Sequence, residues 1–186
     1  MPLDVGVGLI LGILLSHLNS YNHGLCLAIG VAASLLYDLD FIRSAVRTKS
    51  VIVPGTEHRD GLHYPLIVIP FLGVLGSLIN PALGLVLALG ALLHFIHDSI
   101  GAEFGVKWLF PFKKNSYAFF YHTGLPTNKG MPREKLYSWS DKEREEARKR
   151  YGDPERIKHI YLRPHPYGVA EYAVCLVGVL AAVLGR

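Results

Sequence analysis

PLIVIPFLGVLGSLINPALGLVLALGALLHFI, residues 65–96, runs for 32 residues without one Asp, Glu, Lys or Arg. A single helix of that length, at about 1.5 Å per residue, is far too long for a bilayer core of about 30 Å. Asn80-Pro81 sits in the middle of the run, and such a dipeptide marks a turn. The stretch therefore reads as a hairpin of two spanning helices, Leu66–Ile79 and Ala82–His97.

Three more apolar segments flank the hairpin: Val5–Ser16, Gly24–Tyr37 and Tyr167–Leu184, the last interrupted only by Glu171. Across all 186 residues, 51% are hydrophobic, 18% are charged and the mean hydropathy is +0.29. Soluble domains carry about 25% charge, so this balance points to a membrane protein. The expected fold is all-α: one membrane-embedded helical bundle over residues 1–186, with about five apolar helices and a basic soluble loop at 99–166 before the last. Within that loop, Ser140-Asp-Lys-Glu143 has capping-box spacing, and a solvated helix is expected from there to Arg150. The competing reading is a soluble bundle of buried helices, because several segments fall short of the roughly 20 residues a span needs.

Charge placement argues for the membrane. With five crossings, the segments at 38–64 and 99–166 share one side, and together they hold 18 of the 19 Lys and Arg residues. The positive-inside rule puts that side in the cytoplasm, on the inner face of the cell membrane. Met-Pro-Leu-Asp lacks the basic start of a cleavable signal, so the first apolar segment is expected to stay in the mature protein. Cys26 and Cys175 have no CxxC or Cys-His spacing and read as packing residues.

The polar end of the hairpin carries the chemistry. In LLHFIHDSIGAEFGVKWLFP, residues 92–111, His94 and Asp98 stand one helical turn apart and His97 is close by. Asp38 and Asp40 close the second apolar segment, and they can face one point only if the helix ends near Tyr37 and the chain extends. His58 and His63 lie in the Gly-containing segment GTEHRDGLHYP, ahead of Pro65 at a plausible helix start. Five crossings bring Asp38, Asp40, His58, His63, His94, His97 and Asp98 to one membrane surface. His and Asp donors without Cys suit one or two divalent transition ions, zinc first, with manganese and iron also fitting. A two-metal site of this kind serves phosphoester hydrolysis by activating water and clamping oxygens. Arg59 could offer a bidentate fork to a phosphate. His97 could be a ligand, a neighbour of one, or a general acid; spacing does not choose.

DLDFI at 38–42, EHRDGLH at 57–63 and HFIHDSIGAEFGVKWLFPF at 94–112 together resemble the YdjM-type (LexA-regulated) membrane-bound metal-dependent hydrolases. That family's pattern is Asp-x-Asp after an apolar helix, His-Arg-Gly-x-x-His, then His-x-x-x-Asp leading to Gly-Val-x-x-x-x-Pro-Phe. The matching residues are Asp38, Asp40, His58, Arg59, His63, His94 and Asp98, with Gly105, Val106, Pro111 and Phe112 in the tail. Asp60 stands where the family has Gly, Tyr37 where it has Pro, and Leu62-His63-Tyr64 where it has Thr-His-Ser. The family often has a histidine at its first helix; the nearest here, His17 and His23, fall on the opposite face from the site. The resemblance implies a metal-dependent hydrolase acting on a phosphoester or lipid-like substrate.

The expected partners are membrane lipids and such a substrate, with no nucleic acid. Trp108, Tyr117, Phe119, Phe120, Tyr121 and Trp139, set among Lys and Arg, fit a surface lying against anionic head groups. A solvated loop that merely sets topology accounts for them equally well. Against the hydrolase stands a non-catalytic membrane protein whose His/Asp site locks helices or senses metal. A transporter would want polar residues through the helix middles, and apart from Glu171 these segments have almost none.

Overall fold

The structure, a computed structural model, describes residues 2–39, 62–100, 104–119, 131, 134–153 and 155–185. The described residues form α1 (Pro2–Leu18), α2 (His23–Leu35) with a 3-10 turn at Leu36–Asp38, α3 (Pro65–Ser77) and α4 (Pro81–Ser99). There follow β1 (Ser116–Phe119), β2 (Leu136–Trp139), α5 (Asp141–Tyr151), α6 (Arg156–Tyr161) and α7 (Pro166–Leu184). Pro65, Pro81 and Pro166 each open a helix, where a missing N–H costs nothing because the first turn has no intrahelical acceptor. The hairpin turns at Asn80, whose Oδ1 accepts the backbone N–H of Ala82 at 2.8 Å.

The five apolar segments are helical, but only α4 and α7, 19 residues each, are long and apolar enough to cross a membrane alone. α1, α2 and α3 have 17, 13 and 13 residues. The number of crossings therefore rests on two helices rather than five.

The chain divides into two compact units. One comprises Met1–Tyr37, Ile67–His94 and Gly168–Arg186; the other comprises Asp38–Leu66 and Phe95–Tyr167. In the first, helices approach at small residues. A Cβ on Gly30 of α2 would strike the backbone of Gly8 and Gly12 on α1. On the other flank of α1, Gly6 lies against Cys175 and Gly178 of α7. Lipid tails are as apolar as Leu, so helices in lipid associate through such close backbone packing rather than through hydrophobic exclusion. Leu11, Leu15, Cys26, Ala33 and Val86 fill the core. Asn80 Nδ2 donates to Asn19 Oδ1 at 2.7 Å, tying the hairpin turn to the end of α1. Exposed apolar side chains line α3 (Phe71, Val74, Leu75) and α7 (Leu176, Val177, Leu180).

The second unit holds structure that the sequence reading passed over as loop. β1 and β2 pair antiparallel, with Ser116 opposite Trp139 and Phe119 opposite Leu136. Strands of four residues are too short for alternation to stand out, and their pairing is long-range. Gly105, at φ 73°, turns the chain so that Val106 bridges Tyr117, which gives the Gly-Val pair of the motif a backbone reason. Ser99 Oγ donates to the Phe95 carbonyl at 2.7 Å and accepts from Trp108 Nε1 at 2.8 Å, pinning this segment to the end of α4. The expected capping box is present: Ser140 Oγ accepts from the Glu143 N–H, and the Glu143 carboxylate accepts from the Ser140 N–H. Buried Lys107 pairs with Asp141 at 2.9 Å, which anchors the first turn of α5.

Candidate metal centre

α4 is the spine of the site. His94 and Asp98 project from one of its faces, one turn apart, and both are buried. Hydrocarbon packing alone does not account for an imidazole and a carboxylate there, since burying polar groups is costly unless they are paired. Each has a partner from elsewhere in the chain.

His94 meets Asp4. Its Nδ1 lies 3.1 Å from Asp4 Oδ1, and both side chains are almost wholly buried. The Tyr37 ring packs against the same imidazole, with centroids 5.1 Å apart. Asp98 meets His63: the His63 Nε2 is 3.4 Å from Asp98 Oδ2. The edge of the His63 ring also meets Phe95 of α4 at 5.9 Å. Pro65 opens α3 two residues after His63, so the turn into that helix fixes the backbone carrying the imidazole.

Asp38 ends the 3-10 turn, and a donor atom from each of Asp38, His63 and His94 lies within 4.8 Å of the others. The set fits a divalent ion. It offers two imidazole nitrogens and a carboxylate oxygen, the donors zinc accepts, with no thiolate. Two of the three residues are almost fully buried, which excludes the solvation that exposed acidic clusters enjoy. With Nδ1 of His94 engaged by Asp4, Nε2 is the nitrogen this pairing directs towards an ion.

The structure thus brings together Asp38, His63 and His94 from the expected residues, with Asp98 beside His63. α2 gives way at Leu36 to its 3-10 turn, and Leu39 is again helical, so the extended chain expected after Tyr37 is not found as far as Leu39. His97 lies on the last turn of α4, half-buried, between the two partnered residues. Asp40, His58 and Arg59 lie outside the described residues. His17 is exposed, and His23 opens α2 with its Nδ1 3.2 Å from Ser16 Oγ. His159 is held by Asp153 at 2.6 Å and His165 stacks on Tyr167, while His122 lies outside the described residues.

Asp4 is the residue that sequence reasoning missed. The available signal was its isolation: it is the only Asp, Glu, Lys or Arg among the first 37 residues. An acidic residue in a helix's first turn is favoured by the helix dipole whether or not it is buried, so its position alone does not point to a buried partner 90 residues away.

A model of the YdjM inner membrane protein family matches residues 4–142, a span that begins at Asp4 and contains every residue of the site. No curated protein and no solved structure matches the chain. The match covers well over half of the sequence: the chain belongs to the YdjM inner membrane protein family.

Proposed function

We propose that this chain is a membrane-embedded, metal-dependent hydrolase of a phosphoester or lipid-like substrate, working at the cytoplasmic surface. The observation that carries the reading is the convergence of donors from Asp38, His63 and His94, two of them nearly fully buried. Asp98 beside His63, and Asp40 and His58 from the segment between Asp38 and His63, complete the ligand set. When bound there, a divalent ion, with zinc preferred, supplies the Lewis acidity that activates water for hydrolysis at neutral pH.

The protein's own residues do the rest. Arg59 holds phosphate oxygens with its planar fork. His97, on the last turn of α4, gives a proton to the leaving oxygen. The apolar side chains exposed along α3 and α7 suit contact with lipid tails. The Lys and Arg of the 38–64 and 99–166 segments favour anionic lipid on that side.

One observation favours a second reading. His63 and His94 are each only 2% exposed, and closed sites are typical of structural metals, whereas catalytic ones keep an open position. A metal that locks helices or senses metal supply would leave the same donor set. Elemental analysis of detergent-purified protein, joined to a phosphoester and lipid substrate screen, separates the two. Bound metal with turnover supports the hydrolase, and bound metal without turnover supports the structural or sensing site. Protein that holds no transition metal even after supplementation removes both.

A further inference from the structure

We propose that Asp4 is a positioning residue for His94: its carboxylate accepts the Nδ1–H, fixes the imidazole tautomer and directs Nε2 to the ion. This rests on the reading of His94 as a metal ligand. Asp4 and His94 are each 2% exposed and their polar atoms lie 3.1 Å apart, although 90 residues separate them. The dipole at the start of α1 favours an acid there, yet it would favour a solvated one equally. What brings this carboxylate inside is the imidazole.

The arrangement is held from several sides. α1 is fixed by close contact at Gly8 with Gly30 of α2 and at Gly6 with Gly178 of α7. Gly90 of α4 lies against Ala33 of α2, so the helix bearing His94 is fixed to the same frame. Tyr37 lies against the ring itself. The carboxylate and the imidazole therefore keep their register without a flexible link. A carboxylate on the far nitrogen of a metal-binding histidine orients the ring and raises its basicity, and losing it typically costs about 10–100-fold in metal affinity.

The test uses full-length protein in detergent, stripped of metal and titrated with zinc against a competing chelator. Asp4→Ala should weaken zinc binding by about 10–100-fold. Asp4→Asn can still accept the hydrogen bond and hold α1 against α4, but it lacks the charge. It should keep the wild-type melting temperature and still lose about tenfold in zinc affinity, a loss that a merely structural role would not produce. A 15N spectrum of His94 in the zinc-loaded wild type should show zinc on Nε2 and a proton on Nδ1. Because it needs no variant, it decides the matter even where Asp4→Ala or Asp4→Asn fails to fold. Zinc on Nδ1, or unchanged affinity in both folded variants, overturns the role of Asp4 while leaving the site in place. Wild-type protein that binds no zinc overturns the site reading and this inference with it.

Discussion

His63 Nε2 stands 3.4 Å from Asp98 Oδ2. A charge-assisted hydrogen bond between such groups is shorter, about 2.7–2.9 Å. Two donors of one tetrahedral zinc, each about 2.05 Å from the ion, sit about 3.3 Å apart. The separation is longer than that of a closed ion pair and close to the spacing that two donors of one ion would need, and it links the loop before α3 to the last turn of α4.

If these residues hold the metal, His94→Ala or Asp98→Ala should cut zinc affinity by more than about 100-fold, exceeding the loss expected for a residue that only supports a ligand. His122→Ala and His165→Ala should leave it unchanged. Metal content after dialysis against a weak chelator reads the difference, and equal losses across all four would remove the reason for singling out α4.

The orientation is tested by cysteine accessibility. Single cysteines at positions 58 and 140, in a background lacking Cys26 and Cys175, should react with an impermeant reagent only from the cytoplasmic side. Labelling from the other side would invert the topology that the basic residues imply.

Gly30 is placed where a side chain has no room, because its Cβ would fall on the backbone of Gly8 and Gly12. Gly30→Leu should destabilise the bundle by about 1–3 kcal/mol or more, seen as a lower melting temperature in detergent. Gly73→Ala is the control, since its Cβ would meet Ala88 only at ordinary contact distance, 3.4 Å. A similar fall in both variants would count against close packing at the α1–α2 contact.

The capping box of α5 gives a pH dependence with a definite sign. The Ser140 side-chain hydrogen bond, followed by its backbone one, holds the Glu143 carboxyl below its usual range. A carboxyl lowered in the folded state stabilises it at and above neutral pH and loses that contribution as the pH falls through the acid range. Amide exchange in α5 should therefore speed up on acidification in the wild type and change less in Glu143→Gln. Ser140→Ala should cost about 1 kcal/mol at neutral pH, and exchange rates unaffected by it would argue against the cap.

Much of this protein is written locally. The charge-free run with Asn80-Pro81 at its centre reads as a helical hairpin, because inside lipid a helix satisfies its own backbone hydrogen bonds and the dipeptide supplies the turn. Three prolines mark three helix starts, and Ser140 with Glu143 marks a fourth, since these signals act within one turn. The one-turn spacing of His94 and Asp98 likewise follows from helix geometry alone.

What the tertiary structure decided is which groups meet. Asp4 and His94 are brought together by backbone contact at glycines, and no periodicity in the sequence records that α1 lies against α2 on one flank and α7 on the other. β1 and β2 exist only as a pair, because a four-residue strand has no stability without its partner. His63 becomes a partner of Asp98, and Asp38 a neighbour of both imidazoles, only when chain-distant helix ends close on one point. The sequence by itself set the helices and the chemistry available at their ends; close packing decided the constellation, because contacts between distant residues depend on how backbones approach and not on local spacing.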